Sequence, residues 1–211
     1  MINPAVVITL AVIVAAFAAF FGWRWASRVW SLPCPSLFGW ALESGLYATL
    51  AGTDTTLRRI GLNPGQRVLE IGPGPGRLLI PAARFVLPGG EVVGIDIQPH
   101  MIERLKVRAR QAGISNLTAV LGDATQPIVN ESSFDVAFLV TTLGEIPDRG
   151  ALLAQCLRAL KRGGRLSIAK MLPDPHYQSK STVKRLAGAA GFRLRSIEGN
   201  ACLFTANFEK P

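Results

Sequence analysis

From Pro4 to Trp23 the chain carries no charged side chain, and Ala, Val, Ile, Leu and Phe dominate those twenty positions. As a helix, twenty residues reach about 30 Å, the thickness of a bilayer's hydrocarbon core. The run closes on Trp23-Arg24-Trp25, followed by Arg28 and Trp30. Aromatic rings and arginines at that point fit a headgroup-level anchor. The pattern predicts a transmembrane anchor over residues 1–30. The competing readings are a cleaved leader, which usually places Lys or Arg before a shorter apolar core, and a buried helix, whose apolar run is usually about 10–14 residues. With no basic residue before the run and Arg24 and Arg28 after it, the orientation expected is a single pass with the following domain in the cytoplasm.

Residues 31–60 connect this run to the rest. Pro33-Cys34-Pro35 breaks the pattern, and Pro35–Leu50 places Leu37, Phe38, Leu42, Leu46 and Tyr47 near helical spacing. Such an amphipathic connector either lies on the membrane or covers a pocket as a lid.

From residue 61 onward, short apolar runs alternate with helical periodicity. Strands are predicted at Arg67–Ile71, Glu91–Ile95, Leu117–Leu121, Phe134–Val140 and Leu166–Met171. Helices are predicted at Leu78–Leu87, Pro99–Ala112, Gly150–Leu160 and Ser181–Ala190. Pro81 is tolerable only near a first turn. Arg162-Gly163-Gly164 and Gly191 read as helix stops. Two closing strands, Phe192–Ile197 and Cys202–Phe208, flank the turn signal Glu198-Gly199-Asn200. Alternating strands and helices imply an α/β domain over residues 61–211, with a mainly parallel sheet covered on both faces.

Composition sharpens this picture. Hydrophobic residues make up 49% and charged residues 18%, which excludes a disordered chain. The three cysteines, Cys34, Cys156 and Cys202, are too scattered for a disulfide framework and read as packed thiols. With only two distant histidines, no metal site is expected. The net charge of +9 is uneven: +2 over residues 1–60, −1 over 61–150 and +8 over 151–211. A basic final third beside an apolar start points to an anionic membrane surface more than to nucleic acid.

The sharpest chemical signal is Glu70-Ile71-Gly72-Pro73-Gly74-Pro75-Gly76-Arg77, set between a strand and a helix. Glycines there let a ligand approach the backbone, and the helix end is positive. A dinucleotide fingerprint, GxGxxG, would need glycine where Arg77 stands. Glu70 would repel a pyrophosphate and suits a ligand bearing an ammonium group. Asp96 ends the next strand, where a carboxylate can accept ribose hydroxyls. Asp123 follows the third strand and is placed for an adenine amino group. Each acid alone could be a cap or turn residue; three at one crevice edge form a site.

Together, GLNPGQRVLEIGPGPGR, VVGIDIQPHMIE, LGDA, LGEIPD and ALKRGGRL resemble the successive motifs of class I S-adenosylmethionine-dependent methyltransferases, over about residues 55–211. The resemblance implies a seven-stranded Rossmann-like sheet whose last strand is antiparallel. It implies S-adenosylmethionine as cofactor, with Glu70, Gly72, Pro73, Gly74 and Gly76 near its methionine part. By the same match Asp96 holds the ribose, Ile97 and Met101 flank the adenine, and Asp123 and Ala124 read its edge. Arg162 stands where the family usually has proline.

The cofactor's sulfonium already activates its methyl, so alignment of the acceptor is the main task. Candidates after strand four are Thr141, placed with the cofactor residues, Thr142 and Glu145. Those after strand five are Asp174, His176 and Tyr177. His176 is either a base near neutral pH or a loop residue between prolines; Glu145 either binds an acceptor or caps a helix. The expected catalytic set is Glu145, His176 and Tyr177. A tethered site facing a bilayer favours a lipid or amphiphilic acceptor, such as a phospholipid headgroup or a quinone. The alternative is a non-catalytic subunit that keeps the fold and joins a membrane-protein partner.

Overall fold

The computed structural model describes residues 52–171, 174 and 176–211, together with positions 7, 9–12, 14, 15, 18, 22 and 25. Those ten N-terminal positions are helical and exposed, Val7, Leu10, Val12, Val14 and Trp25 among them. Most of the apolar run, the Pro35–Leu50 amphipathic segment and Cys34 lie outside the described residues. Among the described residues no helix is long and apolar enough to cross a membrane.

The domain opens on helix α1 (Thr53–Ile60), whose Leu57 and Ile60 are buried. This stretch, assigned to the connector on sequence, is built into the core. Arg165 donates to the carbonyls of Ile60 and Gly61, and Asn207 to that of Arg59. Then follow β1 (Arg67–Ile71), α2 (Leu79–Phe85), β2 (Glu91–Asp96), α3 (Pro99–Gln111), β3 (Leu117–Leu121) and β4 (Phe134–Val140). After a short turn come α4 (Arg149–Ala159), β5 (Leu160–Met171), α5 (Lys180–Ala189), β6 (Arg193–Gly199) and β7 (Leu203–Glu209). The strands form one seven-stranded sheet in the order β3-β2-β1-β4-β5-β7-β6. β7 alone runs against the direction of the other six strands.

Period-two alternation sorts the core onto two faces. Val68, Val92, Val136 and Phe138 pack with Leu79, Ala83 and Leu105 under α1, α2 and α3. Leu69, Ile95, Leu139 and Ile168 pack with Leu152, Cys156 and Val183 under α4 and α5. Both faces of the sheet are thus covered, which is what a parallel sheet requires.

Two expectations change. The Gly163-Gly164 stop is part of β5, which starts at Leu160 and bulges opposite β4. The Gly163 amide donates to the Lys210 carbonyl, and the Lys210 amide to that of Gly164. The pair therefore stitches the chain's end to the sheet. Of the described cysteines, Cys156 is packed, with burial pushing its thiol up to about 12, whereas Cys202 is exposed.

Candidate cofactor cleft

β1 and β4 are neighbours although β2 and β3 lie between them in sequence, so the chain reverses direction across the sheet beside β1. A crevice opens there at the carboxyl ends of the strands, where open α/β sheets hold ligands. The cleft has a volume of about 450 Å³. Its lining includes Glu70, Gly72, Pro73, Gly74, Asp96, Ile97, Met101, Asp123, Ala124, Thr141 and Glu145. Eleven of the fourteen residues expected from sequence are thus brought to one wall or the other.

Glu70 shares the sheet face of Val68, between Gly94 of β2 and Phe138 of β4. It is 2% exposed. Burial pushes its carboxyl well above the usual range, Arg77 opposes that shift and Asp96 adds to it. Among the described residues its Oε2 is buried without a hydrogen-bond partner. An orphaned carboxylate oxygen in a cleft wall is costly unless a cationic ligand meets it.

Asp96 is also buried, and desolvation raises its pKa against hydrogen bonds from backbone amides. Its Oδ2 accepts from the Gly74 amide at 3.0 Å and its Oδ1 from the Gln98 amide at 3.0 Å. This carboxylate therefore fastens the glycine loop to the end of β2 from within the cleft wall. Asp123 Oδ1 accepts from the Thr125 amide and hydroxyl, closing a local turn.

The three glycines serve different ends. At Gly74, with φ of 53°, a Cβ would meet nothing within 4 Å, so the loop's surface stays open. At Gly72 a Cβ would come within 2.6 Å of the Thr142 side chain. At Gly76 it would sit 2.5 Å from Leu105 Cδ1, and Gly76 is absent from the lining. That glycine serves helix packing, not ligand approach.

The opposite wall is Thr141–Glu145. Thr141 has a left-handed backbone, φ 64° and ψ −14°, costing about 1–3 kcal/mol for a non-glycine residue. Beneath it lies a residue that the sequence pattern did not single out. Lys170 of β5 is fully buried, donates to the Thr141 carbonyl at 3.0 Å and pairs with Asp174 at 2.5 Å. Its one sequence signal is a cation in the otherwise apolar end of a strand.

His176 and Tyr177 do not reach the lining. The His176 backbone packs against Gly144, where a Cβ would come within 2.2 Å of its carbonyl oxygen. The Tyr177 hydroxyl donates to the Ala201 carbonyl at 2.6 Å, and its ring meets Phe204 edge-on. The loop after β5 carries these two residues toward the terminal hairpin and the underside of the Thr141–Glu145 wall.

The donor set fits S-adenosylmethionine. The orphaned Glu70 oxygen suits its ammonium, the Asp96 carboxylate in the cleft wall suits ribose hydroxyls, and Ile97 and Met101 offer apolar faces to an adenine.

Comparison with known proteins agrees with this geometry. A family model described as "Methyltransferase domain" matches residues 62–202. Nocamycin O-methyltransferase of Saccharothrix syringae is 37% identical over 112 residues, 53% of this chain and 40% of that protein. The ubiquinone/menaquinone biosynthesis C-methyltransferase UbiE of Ectopseudomonas mendocina is 35% identical over 114 residues, 54% of this chain and 44% of that one. This chain spans less than half the length of these curated relatives. The crystal structure of a SAM-dependent methyltransferase from Aquifex aeolicus superimposes with a TM-score of 0.79 at 20% identity, over 85% of this chain and 100% of that one. At that identity the likeness is one of fold.

Proposed function

This chain belongs to the class I S-adenosylmethionine-dependent methyltransferase family, and from that premise we propose that it methylates a lipophilic or amphiphilic small molecule presented at a membrane. The observation that carries the methyl-transfer part is the cleft wall. There a buried carboxylate with an orphaned oxygen, Glu70, stands beside Asp96 and an open glycine loop. The cofactor supplies a methyl group already made electrophilic by the sulfonium charge.

The chain's own residues supply placement, which is worth many powers of ten when a nucleophile is held in line. Glu70 receives the ammonium, Asp96 orients the ribose, and Asp123 with Ala124 bounds the adenine side. Thr141, Thr142, Glu145 and Ile146 form the facing wall, where the acceptor lies. Glu145 is the carboxylate on that wall and takes the acceptor's proton or orients its hydroxyl. His176 and Tyr177 are assigned support of the wall from behind.

The lipophilic acceptor rests on two supports. One relative is named for ubiquinone and menaquinone biosynthesis. The uncharged run over residues 4–23 has the length and flanks of a single membrane span. In this reading Arg24 and Arg28 stay at the cytoplasmic face, the domain follows inside, and the basic final third adds attraction to anionic lipid.

Mass spectrometry of lipid and quinone extracts, from cells with and without the protein, tests the acceptor. One lipophilic species should lack a methyl group when the protein is absent. A missing methyl confined to water-soluble or macromolecular material would remove the lipophilic acceptor. A purified chain that binds no S-adenosylhomocysteine in calorimetry would remove methyl transfer altogether. Protease treatment of right-side-out vesicles tests topology, and digestion of the domain from the outer face would reverse the orientation.

A further inference from the structure

Lys170 and Asp174 form a buried ion pair that touches no cleft surface of its own, yet it is wired to the cleft. The Lys170 side chain is 0% exposed and that of Asp174 3%. Lys170 Nζ donates to Asp174 Oδ2 at 2.5 Å and to the Thr141 carbonyl at 3.0 Å. Asp174 Oδ1 in turn accepts from the His176 amide at 2.8 Å. The chain after β5 is thereby tied to the residue that follows β4.

Thr141 is one of two described non-glycine residues with positive φ, and the other, Ser132, is not part of the cleft lining. Its hydroxyl only caps the carbonyl before it, at 2.6 Å. Nothing in that local bond selects the left-handed backbone. The next residue, Thr142, fills the space beside Gly72, closer to where a Cβ would sit than ordinary contact permits. A backbone change at Thr141 therefore carries into both the glycine loop and the start of the Thr142–Gly144 turn that leads to Glu145.

We propose that Lys170 and Asp174 are positioning residues that hold Thr141 in its strained backbone, and through it fix the Thr141–Glu145 wall against the glycine loop. The inference rests on the cofactor reading of the cleft. A buried ion pair is poor evidence for stability, since two apolar residues of similar volume often serve the fold as well. It is well suited to fixing one conformation of a carbonyl, because the ammonium donates from a single buried point. The surroundings of Lys170 carry the same mark of a buried charge held by its neighbours. Burial lowers its pKa, Asp174 and Glu145 oppose that, and Arg149 adds to it.

The experiment compares the full-length protein with a Lys170→Met, Asp174→Leu double variant, which removes both charges together. Each is made with Thr141 and again with Thr141→Gly, because glycine adopts the left-handed region without strain. The readouts are the thermal midpoint and S-adenosylhomocysteine affinity by calorimetry. With Thr141 present, the double variant should keep a midpoint near that of the parent and lose affinity by about tenfold, the scale of one hydrogen bond to a charged group. In the Thr141→Gly background, the same two changes should cost much less affinity. Unchanged affinity in the folded double variant overturns the proposal, and so does an equal loss in both backgrounds. A double variant that fails to fold also overturns it, because the pair would then support the domain and not the wall. A parent protein that binds no S-adenosylhomocysteine would instead strike the cofactor reading itself.

Discussion

At the scale of single residues, the cleft is a place where the ligand-free fold tolerates local cost. Glu70 is buried with an orphaned oxygen, and its carboxyl holds a proton to higher pH than the usual 4.5. A carboxyl whose folded pKa lies above its unfolded value binds more protons when folded. Stability of the ligand-free protein should therefore fall as pH rises from 4.5 through the folded value. Glu70→Gln should flatten that dependence, raise the ligand-free thermal midpoint near neutral pH and weaken S-adenosylhomocysteine binding. Thermal scans across pH on both proteins check it, and identical pH curves would show that Glu70 is not the group responsible. The glycines separate in the same way. Gly76→Ala drives a Cβ to within 2.5 Å of Leu105 and should cost about 1–3 kcal/mol of stability, read as a lower denaturant midpoint at unchanged m-value. Gly74→Ala meets no neighbour, but its φ of 53° strains any side chain, so it should cost about 1–2 kcal/mol of stability from the backbone alone and weaken ligand binding besides. The motif made all three glycines look like ligand contacts; only the neighbours of each Cβ reveal which one serves packing.

At the scale of elements, the strand and helix pattern was legible because burial on both sheet faces writes itself into short apolar runs. Strands β1, β3 and β4 coincide with their expected bounds. The starts of α4 and α5 were missed by one residue because their caps lie just outside the apolar pattern. Ser179 caps α5 by accepting from the Thr182 amide, and Asp148, not Glu145, caps α4 by accepting from that of Ala151. Ser179→Ala should cost about 1 kcal/mol of stability and leave S-adenosylhomocysteine affinity unchanged, since Ser179 lies outside the cleft lining. Equal losses of stability and affinity would link α5 to the cleft more closely than the contacts indicate. Where the pattern misled, a distant partner was the cause. Gly163-Gly164 has the composition of a turn, but the backbone of Lys210 completes a ladder there. Helix α1 looked like connector because its polar face dominates its composition, and only Leu57 and Ile60 show that the other face is core.

At the scale of the whole molecule, the charge is segregated: residues 151–211 carry +8 while residues 61–150 carry −1. Deleting residues 1–30 should leave a domain that still binds S-adenosylhomocysteine, because the described core starts with α1. The truncated domain should bind anionic vesicles weakly and lose that binding as salt rises, with at most about 1 kcal/mol from each Lys or Arg at the surface. Vesicle co-sedimentation of both forms checks this, and salt-insensitive binding by the truncated domain would point to an apolar contact instead. The sequence by itself determined the order of elements, the sheet class, the acid–glycine loop and the two later acids. These follow from local periodicity and from a loop whose residues are contiguous in the chain. Tertiary structure alone decided that Lys170 underlies Thr141, that Gly76 packs on Leu105, and that His176 and Tyr177 stay off the cleft lining. The physical reason is that each of these depends on where a side chain points after the chain has crossed the sheet. Period-two alternation names the face of a strand residue, but it does not say which carbonyl, from a strand about thirty residues earlier, waits at its tip.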